Sequence, residues 1–146
     1  MAVSINGKPT AHIAETSSRA ACKVPHGSSE VELLYENHGH PNIGRGLEDS
    51  AGIRAASLTQ NALGIGTPIS GWRMREVDST TNRPEVGPDF PDQDWKAVEV
   101  ESLDANTLRA RRKAVYRATI NLAADQLKDG KKMLTFGESR IWAGFL

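Results

Sequence analysis

Ala114-Val115-Tyr116-Arg117-Ala118-Thr119-Ile120-Asn121-Leu122 sets Tyr116, Ala118, Ile120 and Leu122 against Val115, Arg117, Thr119 and Asn121. Successive side chains of a β-strand point to opposite faces, so this period of two predicts an extended strand with one apolar side. Downstream, Lys132-Met133-Leu134-Thr135-Phe136-Gly137 and Ile141-Trp142-Ala143-Gly144-Phe145-Leu146 read as further strands. Upstream, so do Trp95 to Val100, Gly71 to Val77, Ile53 to Leu58 and Val31 to Tyr35. Near the start, Val3-Ser4-Ile5 alternates and then meets Asn6-Gly7, a strong signal for a two-residue hairpin turn. Pro25-His26-Gly27-Ser28-Ser29 and Gly64-Ile65-Gly66-Thr67-Pro68 are turn and breaker clusters. Only Ala123 to Lys128 has a helical composition. Many short strands with turn signals between them predict an all-β fold, an antiparallel β-sandwich of jelly-roll type.

The chain has 146 residues, enough for one ordinary domain or two small or incomplete ones. Eighteen basic side chains balance eighteen acidic ones, so no net positive field points to nucleic acid or to anionic lipid. The local run Arg109, Arg111, Arg112 and Lys113 reads as a solvated face, with Glu99, Glu101 and Asp104 just upstream. Cys22 is the single cysteine, which rules out an internal disulfide and suits a buried small hydrophobe. No apolar run approaches the roughly 20 residues a membrane-spanning helix needs. Met1 to Lys8 lacks the basic start and apolar core of a signal peptide.

Residues 78 to 94, with Pro84, Gly87, Pro88 and Pro91, form an organisational seam, either a linker or a long loop lying over a sandwich. The seam separates a unit at 1–78 from one at 95–146, with 79–94 as the connection. The last apolar run ends at Leu146 where a strand would want a turn and a partner, which suggests truncation.

An ordered set of motifs runs through the first unit. It comprises Asn6-Gly7-Lys8, His26-Gly27, Tyr35-Glu36-Asn37, Gly39-His40-Pro41-Asn42-Ile43-Gly44, Glu48-Asp49, Gly52-Ile53 and Gly71-Trp72. In order and approximate spacing it resembles the second half of a jelly-roll, galactose-binding-like domain of the β-galactosidases of glycoside hydrolase family 35. Asp94-Trp95-Lys96, Ala114 to Ala118 and Leu134-Thr135-Phe136-Gly137 resemble the first half of another such domain. The resemblance implies a carbohydrate-processing system and a chain cut across two tandem sandwiches. Alternatively, the two halves complete one permuted sandwich, since each has an apolar face in need of cover. It also implies export, extracellular or periplasmic, for the parent protein.

Retaining glycosidases need two carboxylates about 5 Å apart. In the family these sit on a barrel of roughly 250 residues, for which there is no room here. No catalytic residue is therefore assigned, although Glu36, Glu48 and Asp49 are the carboxylates a small hydrolase would have to use. Sugar recognition combines an aromatic platform with side chains that bond hydroxyls. Asn42, Arg45, Glu48, Asp49 and Trp72 are the candidates for it. The bland alternatives are turn capping by Asn42 and Asp49, an ion pair for Arg45 and a packing corner for Trp72. Tyr35, Trp95 and Trp142 are the other aromatic candidates, and Trp95 and Trp142 read as packing residues. His38 and His40 would share a face in an extended segment, but two imidazoles alone make a weak metal signal. No metal or cofactor is assigned.

The expected function is thus that of a non-catalytic module supporting the catalytic barrel of a glycoside hydrolase. The alternative is a free-standing carbohydrate-binding module for galactosides or plant polysaccharide. The expected partners are the barrel and galactose-containing saccharides, with no nucleic acid and no membrane.

Overall fold

A computed structural model describes residues 1–13, 19–37, 53, 55–59, 66–77, 90–99, 108, 112–123 and 132–137. The strands are β1 (Ala2–Ile5), β2 (Lys8–His12), β3 (Arg19–Cys22), β4 (Gly27–Glu36) and β5 (Ala55–Thr59). They continue with β6 (Thr67–Pro68), β7 (Trp72–Val77), β8 (Lys96–Val98), β9 (Lys113–Leu122) and β10 (Lys132–Gly137). All pairings are antiparallel, and no helix occurs among the described residues. One sheet has the order β2-β1-β4-β9-β7-β8 and the other β3-β10-β5-β6. The chain is an all-β antiparallel sandwich.

The longest ladder joins β4 to β9 from Gly27↔Leu122 to Glu36↔Lys113. Its inner face carries Val31, Leu33 and Tyr35 from β4 and Ala114, Tyr116, Ala118, Ile120 and Leu122 from β9, all buried. Val3 and Ile5 extend that face on β1, and Trp72 and Met74 on β7. Ala56 and Leu58 of β5, with Cys22 at the end of β3, belong to the same core from the opposite sheet. Tyr35 and Tyr116 meet edge to face with ring centroids 6.4 Å apart. Burial there raises both phenol pKa values, and for Tyr116 the neighbouring Tyr35 and Glu76 add to the rise.

Local chemistry accounts for the turns. Asn6 and Gly7 both have positive φ, 50° and 70°, as a primed hairpin turn between β1 and β2 requires. The Asn6 side-chain oxygen accepts from the Glu30 amide at 2.8 Å, tying the turn to β4. Gly27 opens β4 with φ of 87°, and Ser28 and Ser29, which read as turn residues in sequence, are paired strand instead. Thr67-Pro68, read as a breaker, forms a two-residue edge strand, a position where a proline lacking its N–H is tolerated. β3 has no signal in sequence because Ala20, Ala21 and Cys22 are poor strand formers. Its pairing with β10 holds it in the sheet. Of the expected helical turn at 123–128 only Ala123 is described, outside any helix, and the final strand at 141–146 lies outside the described residues.

Strands from both sides of the proline-rich seam share each sheet. β9 lies between β4 and β7, and β10 lies between β3 and β5. At one side of the sandwich the edge strands β2 and β3 adjoin. At the other the edges are β8 and β6.

Candidate functional site

Two places gather polar chemistry: the outer face of the six-stranded sheet and the open side between β6 and β8.

On the outer face, alternation along β9 puts Arg117 opposite the core-facing Tyr116 and Ala118. Register pairs it with Glu32 of β4 and Arg73 of β7. Arg117 and Glu32 are nevertheless each only 4% exposed. The cover comes from the segment Phe90 to Trp95, the end of the proline-rich seam, which makes a turn closed by the Trp95 amide donating to the Asp92 carbonyl at 3.1 Å. Arg117 donates through one terminal nitrogen to the Phe90 carbonyl at 2.6 Å and through the other to Glu32 Oε2 at 3.0 Å. Glu30 and Asp92 carboxylates stand 3.4 Å and 3.8 Å from its guanidinium nitrogens. The guanidinium carbon lies 4.6 Å from the centroid of the Trp95 ring, and Arg75 stacks similarly on Phe90 at 5.2 Å. Arg73 donates to the Asp92 carbonyl at 2.8 Å, completing the strap. Burial raises the Glu30 pKa above its ordinary value; Arg117 opposes the rise, and Glu32 and Asp92 reinforce it. Each carboxylate here has an arginine partner, so the cluster reads as a structural clasp.

Between β6 and β8 lies a cavity of about 260 Å³. Its floor is the buried apolar set Ala56, Ile69, Trp72 and Val98, and half-buried Ser57 forms a wall. Exposed Ala55, Pro68, Ser70, Gly71 and Glu99 form its mouth. Gly66 keeps β6 close to β5, because a Cβ there would stand 2.5 Å from Ser57 Oγ and 2.9 Å from Thr59 Cγ2.

Trp72, the aromatic candidate for sugar contact, is 2% exposed, and its indole N–H donates to the Ile69 carbonyl at 2.7 Å. It is a packing residue in the cavity floor, and an open stacking platform is not what it provides. The remaining candidates, Asn42, Arg45, Glu48 and Asp49, lie outside the described residues, as do His38, His40 and Trp142. Glu36 is exposed and sits 3.5 Å from Lys113 Nζ. Asn37, which closes the Tyr35-Glu36-Asn37 motif, is buried; its side-chain amide donates to the Leu108 carbonyl at 2.7 Å and its backbone N–H to the Arg112 carbonyl at 2.9 Å. Tyr35 belongs to the core. Trp95 is buried, as a packing residue should be, but against Arg117 on the outer face rather than between the sheets.

Sequence reading missed both places. The alternation of β9 marks Arg117 as polar-face but carries no sign that the strap 90–95 covers it. The cavity arises largely from small residues, and of these Ala55, Ala56 and Ser57 have no motif of their own, while Gly71-Trp72 is a motif that does not announce a cavity. Among the described residues no three His, Cys, Asp or Glu side chains are grouped as a metal ion would need. No family model, no curated protein and no solved structure matches this chain.

Proposed function

We propose that this chain is a non-catalytic β-sandwich module of a β-galactosidase-like glycoside hydrolase, where it buttresses the catalytic barrel. The observation that carries this reading is the ordered series from Tyr35-Glu36-Asn37 through Glu48-Asp49 and Gly52-Ile53 to Gly71-Trp72, set in an antiparallel sandwich. Two features support a scaffolding role. Asn37 is used to hold neighbouring backbone, and Glu30, Glu32 and Asp92 are engaged by Arg117. Carboxylates so engaged are poorly suited to act as nucleophile and acid.

The test is co-expression with the family-35-like catalytic barrel from the same source. The reading expects a one-to-one complex by size exclusion and a barrel that melts at higher temperature with the module bound. Separate elution and an unchanged barrel melting temperature would sink it.

A second reading, a free-standing carbohydrate-binding module, is favoured by the cavity between β6 and β8, which a purely structural sandwich does not need. It predicts saccharide binding by the chain alone, without a barrel.

A further inference from the structure

The cavity at the open side of the sandwich has the composition of a small-ligand site. Its volume, about 260 Å³, falls just below the range of roughly 300–1,000 Å³ usual for drug-sized ligands. That is the scale of a single small ring. The floor is apolar, while Ser70, which carries a hydroxyl, and Glu99, which carries a carboxylate, are at the mouth. Glu99 is the one charged residue among the described lining residues, and its carboxylate disfavours an anion beside it. The indole N–H of Trp72 is already bonded to the Ile69 carbonyl, so the floor presents no side-chain donor from that ring. A ligand that fits must lay carbon and hydrogen against the floor and turn hydroxyls toward acceptors at the mouth. A neutral cyclic polyol does this, since a pyranose has a C–H-rich face and a hydroxylated edge.

We infer that the cavity between β6 and β8 is a subsite for one neutral pyranose unit, held over Ala56, Ile69 and Val98 with its hydroxyls donating to Glu99 and Ser70. The choice of a sugar over other cyclic polyols rests on the carbohydrate-processing reading above. This site is built from described residues other than 42–49, and it needs no exposed aromatic platform. Because the mouth is shallow and only a few polar groups converge, the affinity belongs in the millimolar range.

The test is a titration of the ¹⁵N-labelled 146-residue chain with methyl β-galactopyranoside, methyl β-glucopyranoside and, as an apolar comparator, benzyl alcohol. The inference expects saturable shifts of the Ala55, Ala56, Ser57, Ser70 and Gly71 amides with at least one pyranoside. Glu99→Ala should weaken binding about tenfold, as loss of a charge-assisted hydrogen bond does. Ser70→Leu, at the exposed mouth and thus safe for folding, should block it. Three results would overturn the inference: no shifts at 100 mM pyranoside (about a hundred times a millimolar Kd), shifts confined to other residues, or binding of benzyl alcohol alone. Pyranoside binding with no barrel association would retain this subsite while removing the buttress reading, so the two fail independently.

Discussion

Arg117 shares one guanidinium among Glu30, Glu32, Asp92 and the Phe90 carbonyl while a tryptophan ring covers its face. A planar cation with five donors suits this arrangement, and a lysine ammonium does not. Removing it takes the guanidinium from a Glu32 carboxylate that is only 4% exposed. We therefore expect Arg117→Met to cost about 3–5 kcal/mol of unfolding free energy in urea. Arg117→Lys should recover only part, and Arg117→Met with Glu32→Leu should also recover only part, because it removes the most buried carboxylate yet leaves Glu30 and Asp92 without the guanidinium. A small loss for Arg117→Met would show that the strap does not seal the face. Glu30 gives a pH signature. Its pKa is raised in the fold, chiefly by burial, so the folded state holds that proton more tightly than the unfolded chain. Stability from this group is present at low pH and declines as pH rises from the ordinary carboxylate value of 4.5 through the higher folded value. Glu30→Gln should flatten that decline in urea midpoints measured across mildly acidic pH. An unchanged slope would assign the pH dependence elsewhere.

At the scale of elements, the strands differ in how openly the sequence announces them. β9 and the Asn6-Gly7 hairpin are legible because their causes are local. Alternation places side chains, and two positive-φ positions demand a turn of one kind. β3 and β6 are illegible because their causes are remote. Alanine-rich β3 is a strand only because β10 pairs with it, and β6 exists because Gly66 lets the chain approach Ser57 and Thr59. A Cβ at position 66 would force that contact apart. Gly66→Ala should cost about 1–3 kcal/mol as overpacking does. Hydrogen exchange should quicken at Ile69, whose amide donates to the Ala56 carbonyl across the β5–β6 edge, while the β4–β9 ladder stays protected. Uniform loss of protection would mean that β6 is integral to the cooperative core. The clasp was equally hidden, since nothing near Arg117 in sequence signals that Phe90 to Trp95 lies across it.

For the molecule as a whole, the seam in the composition is real as a change in residue type, yet pairing crosses it in both sheets. β9 occupies an interior position among strands drawn largely from 1–78, and β10 does the same in the second sheet. Without β9, the inner faces of β4 and β7 lose the neighbour between them, and Val31, Leu33, Trp72 and Met74 lose the cover of Tyr116 and Ala118. Neither half then has a closed core. The functional reading depends on this, because a self-sufficient sandwich can serve as a module or hold a ligand, and two open halves can do neither.

That shared sandwich is the central claim, and one comparison tests it most directly. Residues 1–78 and 90–146 are expressed separately, and ¹H–¹⁵N correlation spectra are recorded for each half and for their equimolar mixture. Poorly dispersed spectra are expected for the separate halves, and on mixing a dispersed spectrum matching that of the intact chain. Two halves that each give dispersed spectra alone, unchanged on mixing, would contradict it.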